Sequence, residues 1–187
     1  MDLDEARVRI LDAAEELFYD RGVQSVGMDE LRATAGVSLK RLYQCFPAKH
    51  DLVEAYLRRR DTRWRAALAE YVAAHADDPA DRPLVVFDWL HDWFSEPGFR
   101  GCAFINAYGE LGATSDQVGR VAREHKDALL GYVTGLLRAV PVAEPGVLAR
   151  QLVLLVDGAI TSAALSGEPS AARRARTAAA ALMGTAR

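Results

Sequence analysis

Helix breakers divide this chain so regularly that only a helical architecture fits the pieces between them. Gly22, Gly36, Pro47, the DDPADRP run at 77–83, the EPG at 96–98, Gly112, the PVAEPG run at 141–146 and the SGEPS run at 166–170 punctuate it. Between them apolar residues return every three or four positions, as on one face of a helix, rather than every second position as in a strand. Ile10, Ala14, Leu17 and Phe18 share a face of a first helix, and Val53, Tyr56, Leu57, Trp64, Ala67, Leu68 and Tyr71 make a stripe on a long one. The nearest thing to a strand, PLVVFDWL, has the length and setting of a helix. The spacing predicts an all-α chain with about nine helices, at roughly 4–21, 28–35, 39–46, 49–75, 82–94, 102–111, 116–139, 145–165 and 169–184.

A chain of 187 residues can bury a useful core without a metal or a disulfide as a staple. Cys45 and Cys102 stand far apart with no CxxC pairing, which fits a reducing interior. The start MDLDEARVRI lacks a basic segment followed by an apolar one, so no signal peptide is expected. The most apolar region, Leu152 to Leu165, is broken by Asp157 and Thr161, and no stretch reaches the roughly 18 uninterrupted apolar residues expected of a membrane helix. A cytoplasmic protein follows as the expectation. No GxSxG, HExxH, GxGxxG or P-loop occurs, and the four histidines show no i, i+4 pairing. These absences argue against an enzyme, a metal sensor or a bound cofactor.

The net charge of -3 does not by itself suggest a nucleic-acid partner. Its distribution does more. Residues 1–60 hold ten Lys and Arg against eleven Asp and Glu, but from Arg21 to Arg60 there are eight basic residues and four acidic ones. Any DNA footprint is therefore a local patch. Within it, MDELRATA reads as a short amphipathic helix, AGVS as a tight turn with Gly36 suited to the left-handed conformation, and SLKRLYQCF as a new helix with Ser38 as its N-cap. Two short helices about such a turn make a helix-turn-helix, whose second helix can enter the major groove. Leu31, Val37, Leu42 and Phe46 anchor the pair onto Leu17 and Phe18, which leaves Leu39, Lys40, Arg41, Tyr43 and Gln44 outward. Lys and Arg match guanine O6 and N7, Gln matches adenine, and Tyr and the helix-start N–H groups suit phosphate. The motif alone leaves open an ordinary amphipathic helix pair.

RILDAAEELFYDRG followed by AGVSLKRLYQCFPAKHDL closely resembles the N-terminal domain of the TetR family of bacterial repressors, in order and in register over residues 7–55. GCAFINAYGEL at 101–111 and LLVDGA at 154–159 resemble elements of the family's C-terminal domains more loosely. The resemblance implies a helix-turn-helix domain over 1–48 and an effector-binding and dimerisation domain over 49–187. It implies a homodimer on near-palindromic double-stranded operator DNA, released by a small apolar or aromatic effector. Ser38, Lys40, Arg41, Tyr43 and Gln44 fall on its recognition-helix positions, and Lys49 on the fourth-helix lysine that meets phosphate. Lys40 and Arg41 stand where the family usually has Gly-Thr, so the operator is this chain's own. Arg32 replaces a small residue, its stem able to cover apolar surface while its head reaches a phosphate. Gly27 replaces a hydroxyl residue as N-cap of the second helix. Leu39 completes the expected DNA-facing set. Cys45 takes an often aromatic or His position, where a small packed thiol fits better than a redox sensor.

Downstream, Phe87, Trp89, Leu90, Trp93 and Phe94 cover more than one face of the fifth helix. Phe104, Tyr108 and Leu111 follow at helical spacing, and Val121, His125, Ala128, Leu129, Tyr132 and Leu136 make a stripe on the seventh. Such stripes are usually plain core. With the family precedent, Trp89, Trp93, Phe104 and Tyr108 become candidate walls of an effector cavity, and Asn106, Glu110 and His125 its polar groups. From Val147 to Leu165 the strongly polar interruptions are Arg150, Gln151 and Asp157. A helix apolar nearly all round needs burial on two sides, so the last two helices (145–165 and 169–184) are expected to build a four-helix interface across a twofold axis. The long fourth helix would couple effector to operator. The rival reading is a helical adaptor or small-molecule-binding protein without DNA binding.

Overall fold

The computed structural model describes residues 2–186. Among them are nine α-helices and no strand: α1 (Leu3–Arg21), α2 (Met28–Thr34), α3 (Leu39–Cys45), α4 (Lys49–His75), α5 (Arg82–Phe94), α6 (Ala103–Leu111), α7 (Asp116–Leu137), α8 (Pro145–Ser166) and α9 (Ser170–Thr185). The all-α reading holds, with helix ends within about two residues of those expected.

The chain packs as two compact units. The first runs to Arg63 and adds Ala103–Glu124; the second comprises Trp64–Cys102 and the chain from His125 onward. Both α4 and α7 thus contribute to each unit.

In the first unit, α1 begins because the Asp2 carboxylate accepts the Glu5 N–H at 2.7 Å, with Asp4 and Glu5 in the positive first turn. Ala6, Ile10, Ala14 and Phe18 are its buried face. It stops at Gly22, whose φ of 84° excludes most side chains. Both α2 and α3 pack on α1, and Phe18 meets Tyr56 of α4 edge to face at 5.6 Å. Leu52, which the expected stripe of α4 omitted, is fully buried, whereas Ala67, which the stripe included, is exposed.

In the second unit, α5, α8 and α9 pack together. Close approach is possible because α9 offers Ala171, Ala172, Ala175 and Ala179. Lys126 of α7 pairs with Asp157 of α8, and Arg176 of α9 with Asp88 of α5 at 2.9 Å. By length and composition α8 could cross a bilayer, with a mean hydropathy of 1.5. On the face that packs in the second unit, Leu148, Ala149, Leu152, Val156, Ala159, Ile160 and Ala163 are buried and Asp157 is paired. Its other face carries Val147, Leu154 and Leu165, the last two 71% and 85% exposed.

Candidate nucleic-acid interface

The α2–α3 pair is built from local chemistry. The Ala35–Gly36–Val37 turn is closed by the Val37 N–H donating to the Arg32 carbonyl at 3.0 Å, with Gly36 at φ 65°. Ser38 caps α3, its hydroxyl accepting the Arg41 N–H at 3.2 Å. Leu31, Val37, Leu42 and Phe46 are all buried, as the spacing required. At α2 the cap is Gly27 in extended backbone, with no side-chain bond. Sequence reasoning missed Arg7. Its guanidinium donates to the Cys45 carbonyl at 3.1 Å and lies 4.4 Å from the Phe46 ring centroid, tying the end of α3 to α1. Nothing in the helical periodicity of α1 marks a residue whose partners lie 38 positions away. The Cys45 thiol donates to the Leu3 carbonyl at 3.7 Å along the same seam.

With α3 held from beneath, its other side is open. Ser38, Leu39, Lys40, Tyr43 and Gln44 are exposed and Arg41 is half-buried. Charge pairing then sorts the eight cations between Arg21 and Arg60. Arg21 is bound by Glu30, and Arg32 by Asp29 at 3.0 Å. Arg58 is held by Glu54 and Glu124, each at 2.9 Å. Arg59 is clamped by Asp12 and Glu15, each at 2.8 Å, and Arg60 reaches Glu15 at 3.4 Å. Lys40, Arg41 and Lys49 make no ion pair among the described residues. The unspent positive charge of this stretch therefore lies on α3 and at the start of α4.

Glu110, expected as a cavity group, is committed elsewhere. Its two oxygens accept the backbone N–H of Val23 at 3.0 Å and of Gln24 at 2.7 Å, and its carbonyl accepts the Gln24 side-chain amide. It thereby caps the link between α1 and α2. A Cβ at Gly22 would lie 2.9 Å from its Oε1, so a side chain there would push the carboxylate aside, on a backbone whose φ of 84° already strains it. Lys49 sits beside this link, its ammonium 5.9 Å from the Phe18 ring centroid. Burial lowers it below the ordinary lysine range, against the charge of Glu110, which raises it.

The other expected effector residues separate between the units. Phe104 is buried in the first unit, while Asn106 is exposed and Tyr108 is 51% exposed. In the second unit Trp89, Trp93 and His125 surround Trp64, with ring centroids 4.9, 5.8 and 5.2 Å from it, all edge to face. Phe99 meets Trp93 at 5.0 Å and Phe94 at 4.8 Å. Close by on α4, the Tyr71 hydroxyl donates to Asp92 at 2.8 Å. Desolvation, and then that bond, push the phenol up to about 12. His125 is 3% exposed, the one buried polar side chain among the described residues.

Comparison with known proteins agrees with this geometry. The family model for bacterial regulatory proteins of the tetR family matches residues 10–56. FasR of Mycolicibacterium smegmatis, an HTH-type transcriptional activator, is 50% identical over 56 residues, a stretch that covers 30% of this chain and only 26% of FasR. Over nearly the whole length, a TetR-family transcriptional regulator from Streptomyces coelicolor superposes with a TM-score of 0.89 at 32% identity, covering 98% of this chain and 96% of that one. A second such regulator, from Streptomyces avermitilis, gives 0.83 at 30% identity with 97% of each chain covered. An anchored helix-turn-helix, a second helical unit and this end-to-end likeness lead to one conclusion: the chain belongs to the TetR family of DNA-binding transcriptional regulators.

Proposed function

We propose that the chain is a cytoplasmic homodimeric repressor. It holds a near-palindromic double-stranded operator through α3, and a small apolar or aromatic effector releases it. The reading is carried by the charge sorting around α3. Five of the eight local cations are tied to carboxylates, and the three left over are Lys40, Arg41 and Lys49. Lys40 and Arg41 read guanines in the major groove, Gln44 reads adenine, and Ser38, Tyr43 and Lys49 hold phosphate. Leu39 offers an apolar contact to a thymine methyl. Arg32 reaches a phosphate by leaving Asp29, and Gly27 lets the backbone approach at the start of α2.

The division of labour follows the family: residues 1–48 for DNA, residues 49–187 for effector and dimerisation. The aromatic group around Trp64, with Trp89, Trp93 and His125, is the part of the second unit chemically suited to an aromatic effector. Phe104, Asn106, Tyr108 and Glu110 of α6 remain proposed as effector contacts, Phe104 and Tyr108 as walls and Asn106 and Glu110 as polar groups. The exposed Val147, Leu154 and Leu165 of α8, together with α9, form the dimer face.

Selection of random duplexes by the purified protein tests the reading. Enrichment of a near-palindrome with half-sites about 34–36 Å apart supports it. Failure to enrich any sequence would overturn it in favour of a helical adaptor. FasR is named as an activator, so the sign of regulation needs its own measurement. A reporter placed downstream of the selected site should fall when the protein is expressed; a rise would replace repression with activation.

A further inference from the structure

Within the first unit lies an open cleft of about 300 Å³, at the small end of the range for ligand sites. Val23, Val53 and Leu111 give it an apolar wall; Lys49, His50 and Ser115 give it a polar one. Its hydrogen-bonding capacity is lopsided. The Gln24 side-chain amide already donates to the Glu110 carbonyl, and the Thr114 hydroxyl to the Leu111 carbonyl at 3.3 Å. His50 reaches Asp51 at 3.2 Å. Ser115, by contrast, uses its oxygen as acceptor for the Val118 N–H at 3.3 Å, so its O–H remains to donate. Lys49 has three N–H donors and no ion pair among the described residues.

What Lys49 lacks, among the described residues, is a carboxylate within ion-pair distance. A ligand that completes the cleft must bring oxygen atoms with negative charge, and must cover the apolar wall. The charges around it limit how much negative charge is tolerated. Glu110 stands beside the cleft on the Val23 and Gln24 N–H groups, and Asp116 opens the first turn of α7. The Glu110 carboxylate acting on Lys49, and a His50 already paired with Asp51, favour a monoanion over a dianion.

We propose that this cleft binds a small monocarboxylate with a short apolar tail. The carboxylate would sit on the Lys49 ammonium and the Ser115 hydroxyl, the tail against Val23, Val53 and Leu111. The site is distinct from the aromatic group of the second unit, and its test does not involve DNA.

The experiment is an amide-resolved NMR titration of the full chain with butyrate, with butyramide and inorganic phosphate as comparisons. Saturable shifts centred on Val23, Gln24, Lys49 and Ser115 are expected for butyrate, with butyramide inert and phosphate much weaker. Lys49→Met should weaken butyrate at least about tenfold, through loss of a charge-assisted bond, and Lys49→Arg should recover part of it. Ser115→Asp keeps the cap of α7 but sets a like charge on the ligand, so it should abolish binding even if Lys49→Met fails to fold. Shifts that never saturate, that persist unchanged in Ser115→Asp, or that butyramide or phosphate reproduces at equal strength would overturn the assignment.

Discussion

Glu110 illustrates what a single side chain can hold in place. It satisfies two neighbouring backbone donors at the α1–α2 link, and its carbonyl takes a third bond from Gln24. Glu110→Ala should therefore cost about 2 kcal/mol, the range for hydrogen bonds to a charged group, read as a lower denaturation midpoint at unchanged slope. A change within a few tenths would mean that solvent replaces those bonds. Lys40 and Arg41 present the opposite case, since no fold contact depends on their charges. The double variant Lys40→Ala with Arg41→Ala should lose at least about a hundredfold in affinity for the selected operator, at about 1–3 kcal/mol per base-reading pair. Its thermal midpoint and dimerisation should be unchanged. Retained sequence-specific binding would remove these residues from the interface. The contrast also marks what was legible in the sequence. Leu31, Val37, Leu42 and Phe46 were readable because their spacing within α2, the turn and α3 sets one apolar face by local geometry alone. The backbone partners of Glu110 were not legible, because they sit 86 and 87 positions away.

At the scale of elements, α3 was readable almost to the residue, since Gly36 and Ser38 set its start by local stereochemistry alone. The aromatic residues of α5 were equally plain as buried groups. Which rings would meet was not, because periodicity along α5 does not say that Trp64 from α4 stands between Trp89 and Trp93. Beside them, the raised phenol of Tyr71 makes a testable statement about pH. Its folded value of about 12 exceeds the ordinary 10.0, so its contribution is complete below pH 10 and disappears as pH rises through the folded value. Chemical denaturation across that window should show an alkaline loss of stability that is smaller in Tyr71→Phe; equal losses would assign it to other groups. In α8 the sequence asked for two buried faces, and one chain supplies only the first. The alanine run of α9 is likewise divided: Ala179 is buried, while Ala178, Ala180 and Ala181 are exposed. Leu154→Glu, altering a side chain 71% exposed in the single chain, should leave helix content intact and shift sedimentation from dimer to monomer. An unmoved dimer would place the contact elsewhere.

For the molecule as a whole, release by an effector requires that the two ligands oppose each other, and the opposition must be mutual. Operator DNA should weaken effector binding by the same factor by which effector weakens DNA binding, a relation that paired calorimetric titrations can refute. A further consequence follows from the carboxylates that hold Arg21, Arg58, Arg59 and Arg60. Those guanidiniums displace no counterions from a duplex. With four cations available per subunit, Arg32 among them once it leaves Asp29, the logarithm of affinity should fall with the logarithm of salt at a slope no steeper than about -7 for a dimer. Had every cation from Arg21 to Arg60 counted, the slope would approach about -14. Such a protein adheres poorly to arbitrary stretches of chromosome, so little of it is sequestered there, and the number of copies a cell must make to keep one promoter covered stays small.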